Sequence, residues 1–123
     1  MTTITINATA SAAIRRDENV VTPFYKIGST QSPYNEWYYR GLLYFDLSGI
    51  PSSAKITYAE LQCYLIANLG TTSGTYSAHR ITKSWVGSYV TREQRTSTAN
   101  WSTIGGDFEA SASAATPFEL AAS

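Results

Sequence analysis

Between residues 58 and 66 the chain alternates without interruption: Ala59, Leu61, Cys63 and Leu65 fall on one parity, and Tyr58, Glu60, Gln62 and Tyr64 on the other. Successive side chains of a strand point to opposite faces, whereas a helix would scatter both sets around its axis. The pattern predicts a half-buried β-strand, with Cys63 on the buried face beside Ala59, Leu61 and Leu65 and its thiol inert. The N-terminal segment has the same rhythm. Ile4, Ile6, Ala8, Ala10 and Ala12 oppose Thr3, Thr5, Asn7, Thr9 and Ser11, which predicts another half-buried strand.

Turn residues divide what remains. Pro23, Gly28 and Pro33 punctuate residues 20–34 too often for a long element and leave a short strand and loop. Residues 37–47, rich in aromatics and leucine, predict a central strand, closed by Asp46-Leu47-Ser48-Gly49-Ile50-Pro51, where Gly and Pro force a reversal. After the turn cluster at residues 69–74, β-formers Tyr76, Ile81 and Trp85 predict a strand over 75–85, antiparallel to 58–66. Trp85 is expected in or at the rim of the core. Residues 88–100 are polar and threonine-rich, with Arg92, Glu93 and Arg95, and predict a long exposed loop that stays mobile unless a neighbour orders it; Gly105-Gly106-Asp107 makes a further turn. No helix of ordinary length is visible. The fold class expected is all-β, an antiparallel β-sandwich of jelly-roll type, with residues 1–123 forming a single domain.

Composition narrows the function. Lysine plus arginine and aspartate plus glutamate each number 9, so there is no net field to attract nucleic acid or an anionic membrane. The longest apolar stretches fall far short of the roughly 20 residues that cross a bilayer, so no membrane insertion is expected. The charged fraction of 15% is well below the roughly 25% of ordinary soluble domains. With abundant Thr, Ser, Ala and Tyr, this is the palette of extracellular and virion β-proteins. The single cysteine excludes an internal disulfide, and any metal would need oxygen ligands.

One run carries a recognisable signature. Residues 40–65 read Arg40-Gly41-Leu42-Leu43-Tyr44-Phe45-Asp46-Leu47-Ser48-Gly49-Ile50-Pro51, then Ala54, Ile56, Ala59 and Leu61 at fixed spacing. The pattern of an Arg, an apolar strand ending Phe-Asp-Leu-Ser, an Ile-Pro turn and Ala-x-Ile-x-x-Ala-x-Leu resembles the disaggregatase-related, or DNRLRE-type, domains. Further on, Trp85, Val90-Thr91, Trp101 and Gly105-Gly106-Asp107 look like the family's later positions. The resemblance covers about residues 4–120. It implies an extracellular jelly-roll module of surface proteins, some of them carbohydrate-binding, with similar domains in phage structural proteins. The chain departs from it in having Arg92 where the family shows Trp, and in stopping after Phe118-Glu119-Leu120, so that the last strands of the sandwich would be missing.

Most signature residues read as scaffold. Asp46 and Ser48 suit turn capping, and Arg40 suits a bidentate pair with a carboxylate such as Asp46. His79, the only histidine, is expected to be a strand residue with a satisfied hydrogen bond. The carboxylates are dispersed, and no catalytic residues are assigned. Asp107 with the carbonyls of the Gly105-Gly106 turn could hold calcium, the one cofactor considered. Tyr25, Tyr34, Trp37, Tyr38 and Tyr39 form the aromatic cluster expected to bind a glycan or another subunit. The open sheet edge implies either a fragment of a longer protein that carries the later strands or a second subunit that covers the edge, by strand addition or by packing around a symmetry axis; in the second case Thr116, Pro117, Phe118 and Leu120 are expected to mediate assembly.

The leading expectation is thus a non-enzymatic structural or attachment module, of phage decoration or fibre type. Its partners would be further copies of itself or other particle and surface proteins, and its place the virion surface or the extracellular space. The N-terminus has no signal-peptide pattern, which fits assembly inside a host cell. The alternative is a polysaccharide-binding module cut from a larger secreted protein.

Overall fold

The computed structural model describes residues 2–16, 18–24, 27–31, 36–63 and 74–118. The protein is all-β. Five strands occur among the described residues: β1 (Ala10–Arg15), β2 (Gly28–Gln31), β3 (Glu36–Tyr44), β4 (Gly74–Ala78) and β5 (Ala114–Phe118). They form two antiparallel sheets, one ordered β1-β3-β2 and the other β4-β5. No helix long and apolar enough to cross a membrane is present among the described residues. These residues divide into two compact units, one within 1–49 and 81–108, the other within 50–80 and 109–123.

In the first unit β3 is central, as its run of aromatics and leucine predicts. It pairs with β1 from Ala10↔Tyr44 to Arg15↔Tyr39 and with β2 from Gly28↔Tyr39 to Gln31↔Glu36. The N-terminal strand starts later than its alternation suggests: residues 2–9 lie outside any strand, and the parity of Ala10 and Ala12 continues to Ile14. Directly opposed residues share a face, so Ala12 and Leu42 lie together with Ile14 and Arg40 on one side of the sheet. There Ala12, Ile14 and Leu42 pack with Val90 and Trp101, flanked by Ile81 and Trp85. Burying this cluster is the main apolar contribution to the unit, at about 1.5–3 kcal/mol for each large side chain removed from water.

The opposite face is covered too. Ala13 is buried, its N–H donates to the Thr22 carbonyl, and it lies across from Gly41. The Phe24 ring occupies the space a Cβ at position 41 would take. Glycine at 41 is therefore a packing requirement of the strand.

Three expectations are corrected here. Residues 88–100 are no loose loop: Val90 is fully buried and Thr91 nearly so. Their polar composition serves internal hydrogen bonds that periodicity does not register. Residues 54–63 carry no strand assignment and all are exposed, including Cys63. Alternation sets the faces of a strand but supplies no neighbour to pair with it. The expected partner strand, 75–85, also ends early. β4 stops at Ala78 and pairs with β5, while Ile81 and Trp85 belong to the first unit.

Candidate functional site

Of the residues that carry the resemblance, Arg40, Trp85, Val90, Thr91, Trp101 and Gly105 to Asp107 lie in the first unit, while those from Ile50 to Leu61 lie in the second. Arg40 leaves the core face of β3 and donates through Nη1 to the Gly105 carbonyl at 2.9 Å, with its guanidinium 5.0 Å from the Phe108 ring centroid. This replaces the expected pair with Asp46, which is exposed and instead accepts the Ser48 N–H at 2.9 Å. That contact closes the turn and, chiefly through the Ser48 amide, holds the Asp46 carboxyl below its ordinary pKa. A planar guanidinium can meet a carbonyl and an aromatic face at once, which a lysine ammonium matches less well.

Gly105 and Gly106 have φ of 94° and 108°, a region open to glycine and strained for other residues. The Gly105 N–H donates to the Arg92 carbonyl at 2.7 Å, and that of Gly106 to the Thr103 carbonyl at 3.1 Å. Asp107 completes the loop. Its two carboxylate oxygens accept the backbone N–H groups of Ser102 and Thr103 at 2.8 and 2.9 Å. The Ser102 amide does most to lower the Asp107 pKa, partial burial opposes it, and Thr103 and the charge of Lys83 assist. The donor set does not suit calcium: the carboxylate is turned to amides, and the Gly105 carbonyl already receives a cation in Arg40. Among the described residues no group of three or more His, Cys, Asp or Glu side chains could hold a metal ion.

The segment between Trp85 and this loop is wound on itself. Trp101 donates its indole N–H to the Thr91 carbonyl at 3.1 Å, which satisfies the one polar atom of a buried side chain. The Thr91 hydroxyl accepts the N–H groups of Glu93 and Gln94, and the Thr96 hydroxyl those of Thr98 and Ala99. Arg95 donates to the carbonyls of Ser84 and Asn100. Arg92, where the resemblance calls for Trp, donates to the Arg16 carbonyl at 2.9 Å and ties this segment to the end of β1. Threonines capping turn amides were the legible signal of order in this segment.

The residues expected to form a binding surface fare differently. Tyr25, Tyr34 and Leu120 lie outside the described residues. Trp37 and Tyr38 stand in β3 opposite Thr30 and Ser29. Tyr39 is buried, with the Arg15 guanidinium 5.4 Å from its ring centroid, and so offers no open platform. Thr116, Pro117 and Phe118 form part of β5, opposite Tyr76, Thr75 and Gly74 of the same chain. Among the described residues β5 has one neighbour, so a proline, which has no N–H for a ladder, is tolerated there. His79 is hydrogen-bonded as expected but lies just past the end of β4 and not in a strand: its ring nitrogens lie 2.7 Å from the Glu109 carbonyl and 3.0 Å from the Ser77 hydroxyl.

Further exposed apolar side chains lie in the second unit. In residues 54–63 Ile56 is 62% exposed, Tyr58 76% and Leu61 49%. Tyr58 donates its hydroxyl proton to Glu60 at 2.8 Å, and the Gln62 amide donates to the other Glu60 oxygen. The hydrogen bond to Glu60, reinforced by its charge, raises the Tyr58 pKa, while Tyr58 and then Gln62 lower that of Glu60. The alternation singles out these residues, but as a strand within the fold and not as an exposed one.

No family model, no curated protein and no solved structure matches this chain.

Proposed function

We propose that this chain is a non-enzymatic structural module of the disaggregatase-related type, a β-sandwich that attaches to or builds a virion surface or an extracellular assembly. The observation that carries this reading is the open row at residues 54–63. Ile56 and Tyr58 on one parity and Leu61 on the other are each about half exposed or more, and no ladder or bridge joins this segment to another described residue, so its edges are open to a partner. The hydrogen bond of Arg40 to Gly105 supports this reading, because two residues far apart in sequence that both belong to the resemblance come together. Their hydrogen bonds are internal, so Arg40 and the Gly105 turn act as scaffold, while the attaching surface is the 54–63 part of the same signature.

A mass measurement on native material, paired with a glycan array, tests this. The expected result is a multimer or a complex with other surface proteins, and no selective glycan. Saturable binding of a monomer to one polysaccharide, abolished by Trp37→Ala, would replace it with the carbohydrate-binding alternative.

A further inference from the structure

Residues 55–63 have the features of a strand without a neighbour. Tyr58, Glu60 and Gln62 hydrogen-bond in sequence at i, i+2 spacing, so the three side chains share one side. Extended backbone allows this; a helical turn would point them apart. Ala59, Leu61 and Cys63 take the other parity, and all nine residues are exposed. No ladder or isolated bridge joins this segment to another described residue. Among the described residues no neighbour takes up the N–H and C=O groups along the edges of such a strand, and the Glu60-centred hydrogen bonds hold its polar side chains in place before any partner arrives.

We propose that residues 55–63 pair antiparallel with the same residues of a second copy of this chain, about a two-fold axis at Ala59. This deepens the assembly reading above and rests on it. The sequence selects both the occupant and the register. Centring on Ala59 overlaps the whole segment, with Lys55 opposite Cys63, Ile56 opposite Gln62 and Thr57 opposite Leu61 of the second copy. It also sets Tyr58 opposite Glu60 twice, so that the donor and acceptor already bonded within one chain are matched between chains. Centring on Glu60 would oppose two carboxylates, and a shift by one residue would place Tyr58 opposite Leu61 and mix the two faces. A two-fold pair is closed, so each copy supplies the same patch. Nine residues a side is a small interface, which suits association on the order of micromolar.

Cross-linking and light scattering on the full chain test the register. In a Cys63→Ser background, Ala59→Cys places two thiols at the axis, where directly opposed Cβ atoms lie about 4.5–5.5 Å apart and a disulfide can close. Thr57→Cys in the same background places them several residues apart. The expected result is an oxidised dimer that forms at least about ten-fold faster from Ala59→Cys than from Thr57→Cys. Ala59→Pro should weaken association by about ten-fold or more, with far-ultraviolet circular dichroism unchanged because the segment is exposed in the single chain. If the chain multimerises but neither variant differs from its control, this interface is wrong and assembly uses another surface. A monomer at every concentration, free of any partner in native material, would overturn both the interface and the assembly reading.

Discussion

Strand β1 and residues 54–63 carry similar alternating patterns and meet opposite fates. In β1, Ala12 and Ile14 are almost fully buried; in the other segment the large side chains face water. The difference lies in what distant sequence provides. β1 has β3 on one edge, a bridge to Thr22 on the other, and the 81–108 segment over its core face. Residues 54–63 have none of these among the described residues. Alternation therefore predicts which side chains travel together, while burial is decided by remote segments.

The comparison breaks first at the residue that joins β1 to the 81–108 segment. Trp101→Ala removes a buried aromatic side chain and the donor to Thr91, and should destabilise the chain by about 3–5 kcal/mol in denaturant unfolding. Tyr58→Ala should change stability by less than about 0.5 kcal/mol, because that side chain is exposed. Comparable losses in the two variants would contradict the division drawn between the segments.

Gly41 gives the next largest effect. A Cβ there meets the Phe24 ring, so Gly41→Ala should cost about 1–3 kcal/mol through overpacking. Part of that loss should be recovered when Phe24→Ala is added, and strict additivity in a double-mutant cycle would show that the two do not touch.

A smaller loss is expected at Arg40. Arg40→Met retains much of the apolar stem but removes the hydrogen bond to Gly105 and the cation over Phe108, at about 1–3 kcal/mol by thermal unfolding. An unchanged midpoint would contradict the role given to this arginine.

The smallest effect is a pH dependence. The native Asp107 carboxyl is held below its ordinary pKa, so its contribution is present above about pH 4 and is lost as pH falls through the lowered native value. Acid titration of stability should therefore be steeper for the native chain than for Asp107→Asn below about pH 4. Parallel curves would remove Asp107 from the loop's support.

Several of these residues are legible from the sequence. The central β3 strand, the Asp46–Ser48 turn, the Gly105-Gly106-Asp107 turn and a hydrogen-bonded His79 all follow from local chemistry acting within a few residues or from simple propensity. The partner of Arg40 does not. A guanidinium can meet any carboxylate or carbonyl within reach, and only the folded chain brings Gly105 closer than Asp46. Residues 88–100 misled for a related reason. Apolar periodicity measures burial of side chains, whereas here threonine hydroxyls and arginine donors order the backbone and leave Val90 and Trp101 to anchor it. Tyr39 failed as a platform residue because an aromatic near a strand centre reads the same whether it is buried or exposed.

Amide hydrogen exchange across a concentration series tests most directly the claim that a buried first unit accompanies an unpaired, pairing-competent strand. At the lowest concentration, the amides of Ala12, Leu42, Trp101 and Gly105 should be protected while those of residues 56–63 exchange at nearly unfolded rates. As concentration rises through the association range, protection should appear in 56–63 and change little in the first unit. Strong, concentration-independent protection of 56–63, or rapid exchange at Ala12 and Trp101 in the same sample, would contradict the account.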